Sequence, residues 1–118
     1  MSLEGKKIAI AGISEADYLV DYSQTELKAI PILFGIIPSV SELLGHSAAL
    51  LHLTHNPHWI YDEVSNILNI RDRIPFFVTS TVLNDSDKDA SQILKKNSVI
   101  IYQPNNYIAL LDMLNDLV

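Results

Sequence analysis

The stretch Leu50-Leu51-His52-Leu53-Thr54-His55-Asn56-Pro57 constrains this chain more than any other. It opens as an apolar run, which suits a strand buried on both faces. It closes in Asn-Pro, where Asn caps a helix and Pro occupies its first turn. A buried strand running straight into a capped helix is the repeating step of an α/β architecture. In such architectures ligands and chemistry collect past the carboxyl end of the strand. Here that exit carries no carboxylate, and Thr54 is its one hydroxyl.

Four further apolar runs surround this one. Lys7 to Gly12 (KIAIAG), Ile30 to Ile37 (IPILFGII), Pro75 to Thr81 (PFFVTST) and Val99 to Tyr102 read as strands, with Ala48 to Leu53 as the third of five. Pro31 stands at the start of the second, where a missing ladder donor matters least. Helical spacing fills the intervals. Ser14 with Asp17 is a candidate cap for Ala16, Leu19 and Val20, and the S-x-x-E pattern of Ser23 and Glu26 predicts a break near Tyr22 and a restart. Ser39 and Glu42 open a short helix ending at Gly45. Asn56 caps a helix whose Ile60, Val64, Ile67 and Leu68 share one face. Asp85, Asp87 and Asp89 precede Lys95 and Lys96, the polarity a helix dipole favours, and Tyr107 to Val118 closes the chain.

Strict alternation of strands and helices implies a parallel sheet covered on both faces. The expected architecture is one flavodoxin-like, doubly wound, three-layer α/β/α domain with strand order 2-1-3-4-5. The domain is expected to span residues 4–118. Met1, Ser2 and Leu3 read as a cloning remnant without structural weight.

At 118 residues the chain is long enough for a real core. Cysteine is absent, so thiolate chemistry and disulfides are excluded, which fits a reducing compartment. Eight Lys and Arg stand against 14 Asp and Glu, for a formal charge of −6, so phosphate backbones are not attracted and nucleic acid is not an expected partner. No apolar run is long enough to span a membrane, and no apolar amino-terminal segment resembles a secretion signal. Cytoplasmic residence is the expectation.

Length, alternation and three landmarks, LLHLTHNP, PFFVTST and VIIYQPNNYIALLDML, make the chain resemble the receiver domain of two-component response regulators. That resemblance implies phosphoryl transfer to an aspartate at the end of strand three, four residues before a proline. Counting back from Pro57 gives Leu53, and a slip of one residue gives His52; neither is a carboxylate. The acidic pair that holds Mg²⁺ at the end of strand one is replaced by Ala11-Gly12-Ile13, with Glu15 the nearest acid. The strand-five lysine falls at Gln103, followed by Pro104, and the aromatic switch position at Ile100. The strand-four hydroxyl is retained as Ser80, flanked by Thr79 and Thr81. The chain therefore looks like a pseudo-receiver with no phosphoacceptor. Gly12, Leu53, Ser80 and Gln103 outline what remains of the pocket, although Ser and Thr at strand ends more often satisfy backbone groups. The resemblance also implies a cis peptide bond between Gln103 and Pro104.

Other chemistry is sparse. His46, His52, His55 and His58 cluster around the third strand but lack the i, i+4 pairing of zinc motifs, so a hydrogen-bonded His52 with two solvated neighbours is the plainer reading and no metal is expected. Gly12 is alone where a dinucleotide fingerprint needs three glycines, so no cofactor is expected. Asp62 and Glu63 diverge by about 100° on a helix and are expected to form a solvated face.

Three functions compete. The first is a non-enzymatic signalling module that binds a protein partner. The second is a small-molecule sensor using the emptied pocket, and the third is a small flavodoxin-like enzyme, for which no catalytic pair can be named. For the first, the resemblance points to the face of helix four, strand five and helix five, as a homodimer interface or a docking surface. On the last helix Met113, Leu117, Leu110, Leu114, Tyr107, Val118 and Leu111 fall on one arc of about 160°, wider than the stripe of about 100° that a sheet needs. Met113 at its margin and Ile108 on the polar side are therefore expected to be exposed there.

Overall fold

The computed structural model describes residues 2–14, 16–53, 60–80, 88–102 and 106–118. Strands and helices alternate throughout: β1 (Lys7–Ala11), α1 (Asp17–Thr25), β2 (Ile30–Phe34), α2 (Val40–Leu43), β3 (Ala48–His52), α3 (Ile60–Ile70), β4 (Phe76–Thr79), α4 (Lys88–Lys96), β5 (Ile101–Tyr102) and α5 (Tyr107–Leu117). The strands form one parallel sheet of order β2-β1-β3-β4-β5. This is the doubly wound, flavodoxin-like arrangement expected from the alternation.

Period-two alternation divides the core between the two faces of the sheet. Ile8, Ile10, Ala48, Leu50 and Phe77 meet Leu19 of α1 and Leu110, Leu111 and Leu114 of α5. On the other face Ala9, Ala11, Ala49, Leu51 and Val78 meet Leu43 of α2, Val64, Ile67 and Ile70 of α3, and Leu94 of α4. No described helix is long and apolar enough to cross a membrane.

Several element ends differ from the sequence reading, each for a local reason. Ser14 does not cap α1; its N-cap is Ala16, with no side-chain cap bond. The predicted break at Tyr22 is also absent. Leu19 and Ser23 lie four residues apart on one buried stripe, and burial of that stripe carries α1 through to Thr25, although it leaves the Ser23 hydroxyl without a hydrogen bond. Ser39 does cap α2, its hydroxyl accepting from the Glu42 N–H at 3.4 Å.

β2 stops at Phe34, because Gly35 and Ile36 bend and return Ile37 to the core. β5 loses Val99 to the end of α4. Ser98 takes φ 65°, its N–H bonds the Lys95 carbonyl at 3.0 Å and the Val99 N–H bonds that of Leu94 at 2.9 Å. That is a Schellman stop, sealed by Val99 and Leu94 in the same apolar cluster. α5 begins with a cap the sequence reading did not single out: Asn106 Oδ1 accepts from the Ala109 N–H at 3.1 Å. The expected cap at Asn56, the strand end at Thr81, and the acids Asp85 and Asp87 fall outside the described residues, as does the side chain of Asp89.

The view of residues 1–3 as dispensable is corrected by Leu3. Its side chain is fully buried in the core shared by α1 and α5, and its N–H donates to Asn115 Oδ1 at 2.8 Å.

Candidate functional site

Crossing over from β1 to β2 on one side and to β3 on the other makes the carboxyl ends of β1 and β3 the switch point of the sheet, where a crevice is built by topology. Gly12 closes β1 there. Its φ of +74° is left-handed, its N–H donates to the Phe34 carbonyl at 3.0 Å, and a Cβ on it would lie 2.5 Å from the His52 carbonyl oxygen. Only glycine lets the two strand ends approach so closely.

Beside it stands a polar cluster that the sequence reading only partly foresaw. Register pairs His52 with Thr79, and alternation turns both toward α5. His52 Nδ1 lies 2.8 Å from Thr79 Oγ1. Thr79 also reaches the Tyr107 hydroxyl and the Leu51 carbonyl, each at 3.4 Å, and the Tyr107 hydroxyl lies 3.5 Å from His52 Nδ1. Three side chains from β3, β4 and α5 thus share one hydrogen-bonded knot, with Thr79 fully buried and the other two half-buried. Tyr18 borders it; burial, and then the neighbouring Tyr107, raise its phenol above the ordinary tyrosine range. The sequence signal for this knot is strand parity, since His52 continues the face of Ala48 and Leu50 and Thr79 that of Phe77. The sequence reading placed Thr79 only as a flank of Ser80.

Leu53 and Ser80 follow on the opposite face. Leu53 is buried within the cluster under α3 and α4, its N–H bonded to the Thr79 carbonyl at 2.9 Å. Ser80 is also buried, with its N–H on the Tyr102 carbonyl at 3.2 Å. Gln103, and with it the expected cis bond to Pro104, lies outside the described residues. Of the pocket drawn from sequence, Gly12 sits at the crevice while Leu53 is part of the core floor.

His46 lies at the opposite end of β3 from His52, its Nδ1 2.7 Å from the Glu42 carbonyl and its ring edge-on to Phe34. His55 and His58, and with them the four-histidine grouping, lie outside the described residues. Among the described residues no group of three or more His, Asp or Glu could hold a metal ion. The solvated face expected of Asp62 and Glu63 is corrected for Glu63. Asp62 is exposed, but Glu63 lies one residue round the helix beside Val64 and is 3% exposed, with interactions of its own. Both line a cleft of about 360 Å³ with Ile36, Ile37, Ser39 and Asn66.

The last helix corrects another expectation. Ile108, placed on the polar side and expected to be exposed, is half-buried against the α1/α5 core. That polar side is a clasp. Asp112 accepts from the Tyr22 hydroxyl at 2.5 Å and Asn115 from the Leu3 N–H, so the stripe of Ile108, Asp112 and Asn115 faces α1 and the amino-terminal turn. The bond to Asp112, then burial and the charges of Asp112 and Glu26, raises the Tyr22 phenol above its usual range. Met113 is 44% exposed, and Leu117, assigned to the core arc, is 62% exposed. Ile93 of α4 and Ile100 are exposed as well. Ile100 and Leu117 share a cleft of about 210 Å³ with Phe76, Phe77 and Val99.

No family model and no curated protein sequence matches the chain. Among solved structures, it resembles the crystal structure of the phosphorylated cyanobacterial phytochrome response regulator RcpA, with a TM-score of 0.52 and 17% identity over 96% of this chain and 91% of that one. The two share a fold. The agreement extends over nearly the whole chain. The switch-point crevice carries a glycine, an imidazole and two hydroxyls.

Proposed function

We propose that the chain is a receiver-like signal-transduction module that works by binding a protein and is not phosphorylated on aspartate. The observation that carries this reading is Leu53, an aliphatic side chain buried in the core at the position where the resemblance puts the phosphoacceptor. A leucine offers no oxygen for an acyl phosphate, and Ala11, Gly12 and Ile13 offer no carboxylate for a divalent ion. Mg²⁺ with beryllofluoride is expected to leave the amide NMR spectrum unchanged around Gly12, Leu53 and Ser80. Saturable shifts there would remove the reading.

The surface offered to the partner is the face of α4, β5 and α5, whose Ile93, Ile100, Met113 and Leu117 are each exposed, Ile100 and Leu117 lining one cleft. The function is non-enzymatic, and neither a cofactor nor a nucleic acid takes part. Met113→Glu with Leu117→Glu is expected to shift stability by no more than about 0.5 kcal/mol, as surface changes do. Ile108→Glu, which inserts a charge into the clasp, is expected to destabilise the fold clearly. Thermal melts of the two sets check the assignment, and the melt-neutral pair is the one with which to challenge partner binding.

A second reading has its own observation. The knot of His52, Thr79 and Tyr107 beside Gly12 gives a small polar ligand donors and acceptors at the switch point. A thermal-shift screen against metabolites and nucleotides tests it, since a ligand that binds only the native state raises the melting temperature.

A further inference from the structure

We propose that the free edge of β2 is a self-association edge, through which two copies of this chain pair antiparallel about Leu33 and join their sheets into one. The order of strands leaves β2 with β1 as its sole neighbour among the described residues. The Ile30 N–H bonds the Lys6 carbonyl at 2.8 Å and the Phe34 carbonyl accepts from Gly12, which fixes the phase of the ladder. Ile30, Ile32 and Phe34 direct their backbone groups to β1, so Pro31 and Leu33 direct theirs outward.

An exposed strand edge is a template for pairing, and proteins usually blunt it with charges, above all lysine. This edge carries none: from Ala29 to Ser41 there is no Asp, Glu, Lys or Arg. Ile30, Leu33 and Ile36 are instead about half exposed, at 46%, 50% and 47%. Pro31 is the single protective feature, since it removes one outward donor.

The occupant that fits is a second copy, because the edge is complementary to itself. A two-fold axis at Leu33 lets that residue exchange both backbone hydrogen bonds with its own counterpart. The Pro31 carbonyl then faces the N–H of Gly35, a residue with nothing within 4 Å of its Cβ position. The donor missing from Pro31 therefore costs only the outermost bond at each end. Across the junction Ile30 meets Ile36 and Ile32 meets Phe34, apolar pairs of the kind that stabilise antiparallel strands.

The charges flanking the edge agree with antiparallel pairing. Lys6, Lys7 and Lys28 are exposed where β2 begins, and Glu4 and Glu26 temper that end without reversing its sign. Glu42 and Asp62 are exposed where it ends, Asp62 lining the same cleft as Ile36. Antiparallel pairing sets the basic end of each copy toward the acidic end of the other, against the general repulsion of two chains of charge −6.

Sedimentation and light scattering across the micromolar range test this. The expected mass rises with concentration toward twice the 13.2 kDa of one chain. Leu33→Lys is expected to abolish the rise, and Leu33→Pro to do the same, because the Leu33 N–H serves no bond to β1 and its loss touches only the junction. Hydrogen exchange at the Leu33 amide is expected to slow as concentration increases. A mass of one chain at high micromolar concentration overturns the proposal. So does a dimer that survives Leu33→Lys but is dissociated by Met113→Glu, which would assign it to the other edge. Should Leu33→Pro fail to fold by circular dichroism, Leu33→Lys decides.

Discussion

Gly12→Ala is expected to destabilise the chain by about 2–4 kcal/mol, because two separate penalties fall on one methyl group. The first is conformational: φ at Gly12 is +74°, where an L side chain is strained. The second is steric, since the new Cβ would stand 2.5 Å from the His52 carbonyl oxygen. That oxygen cannot easily yield. The residue before it in sequence, Leu51, is paired with Ala11 of β1, and the residue after it, Leu53, donates to the Thr79 carbonyl at 2.9 Å. Gly12 is itself tied by its N–H to Phe34. Relief would require the ends of β1 and β3 to part, which disturbs the His52–Thr79–Tyr107 knot. Gly5 supplies the control. Its φ is +73° but nothing lies within 4 Å of its Cβ position, so Gly5→Ala carries the conformational penalty alone, about 1 kcal/mol. Denaturant unfolding of both variants makes the comparison. Equal losses would show that the close approach at Gly12 contributes nothing.

The fold was legible because its signals are local and periodic. KIAIAG, IPILFGII and AALLHL each read as strands from composition alone, and their alternation with helical segments left few topologies. Element ends were less legible, since they depend on contacts between distant residues. Val99 has the character of a strand residue, yet Ser98 in a left-handed conformation ties it to Leu94. Ser23 reads as a cap, yet it lies buried on the stripe of Leu19. The same limit applied to α5. A helical wheel equates polar with solvent-facing, but Asp112 and Asn115 find their partners in Tyr22 and Leu3, about a chain length away, and draw Ile108 inward with them. At the crevice, counting back from Pro57 placed Leu53 where an acceptor would stand. It gave no hint that His52, one residue earlier and on the other face, would join Thr79 and Tyr107. Two residues adjacent in a strand belong to different faces, so a one-residue displacement changes which core a side chain enters.

Leu3→Ala is expected to cost about 2–4 kcal/mol, the range for truncating a fully buried leucine. A dispensable tail would show no such effect. Leu3 is inaccessible to solvent, in the same apolar cluster as Leu19, Leu27, Leu111 and Leu114. Its backbone is held as firmly as its side chain. The Leu3 N–H donates to Asn115, the Leu3 carbonyl accepts from the Lys6 N–H at 2.9 Å, and the Gly5 N–H donates to the Lys28 carbonyl at 2.8 Å. The turn before β1 is thereby fastened to the last helix at one point and to the start of β2 at another. Asn115→Ala should leave the Leu3 N–H without its protein partner and cost about 1–2 kcal/mol. Because both substitutions release the same turn, the double variant should lose less than the sum of the two single ones. Ser2→Ala, at a half-exposed residue whose hydroxyl accepts from the Glu4 N–H at 3.3 Å, should lie within about 0.5 kcal/mol of the parent. Unfolding curves for the four variants test the whole arrangement. Additive losses would separate Leu3 from Asn115, and a neutral Leu3→Ala would return the first residues to the status of a tail.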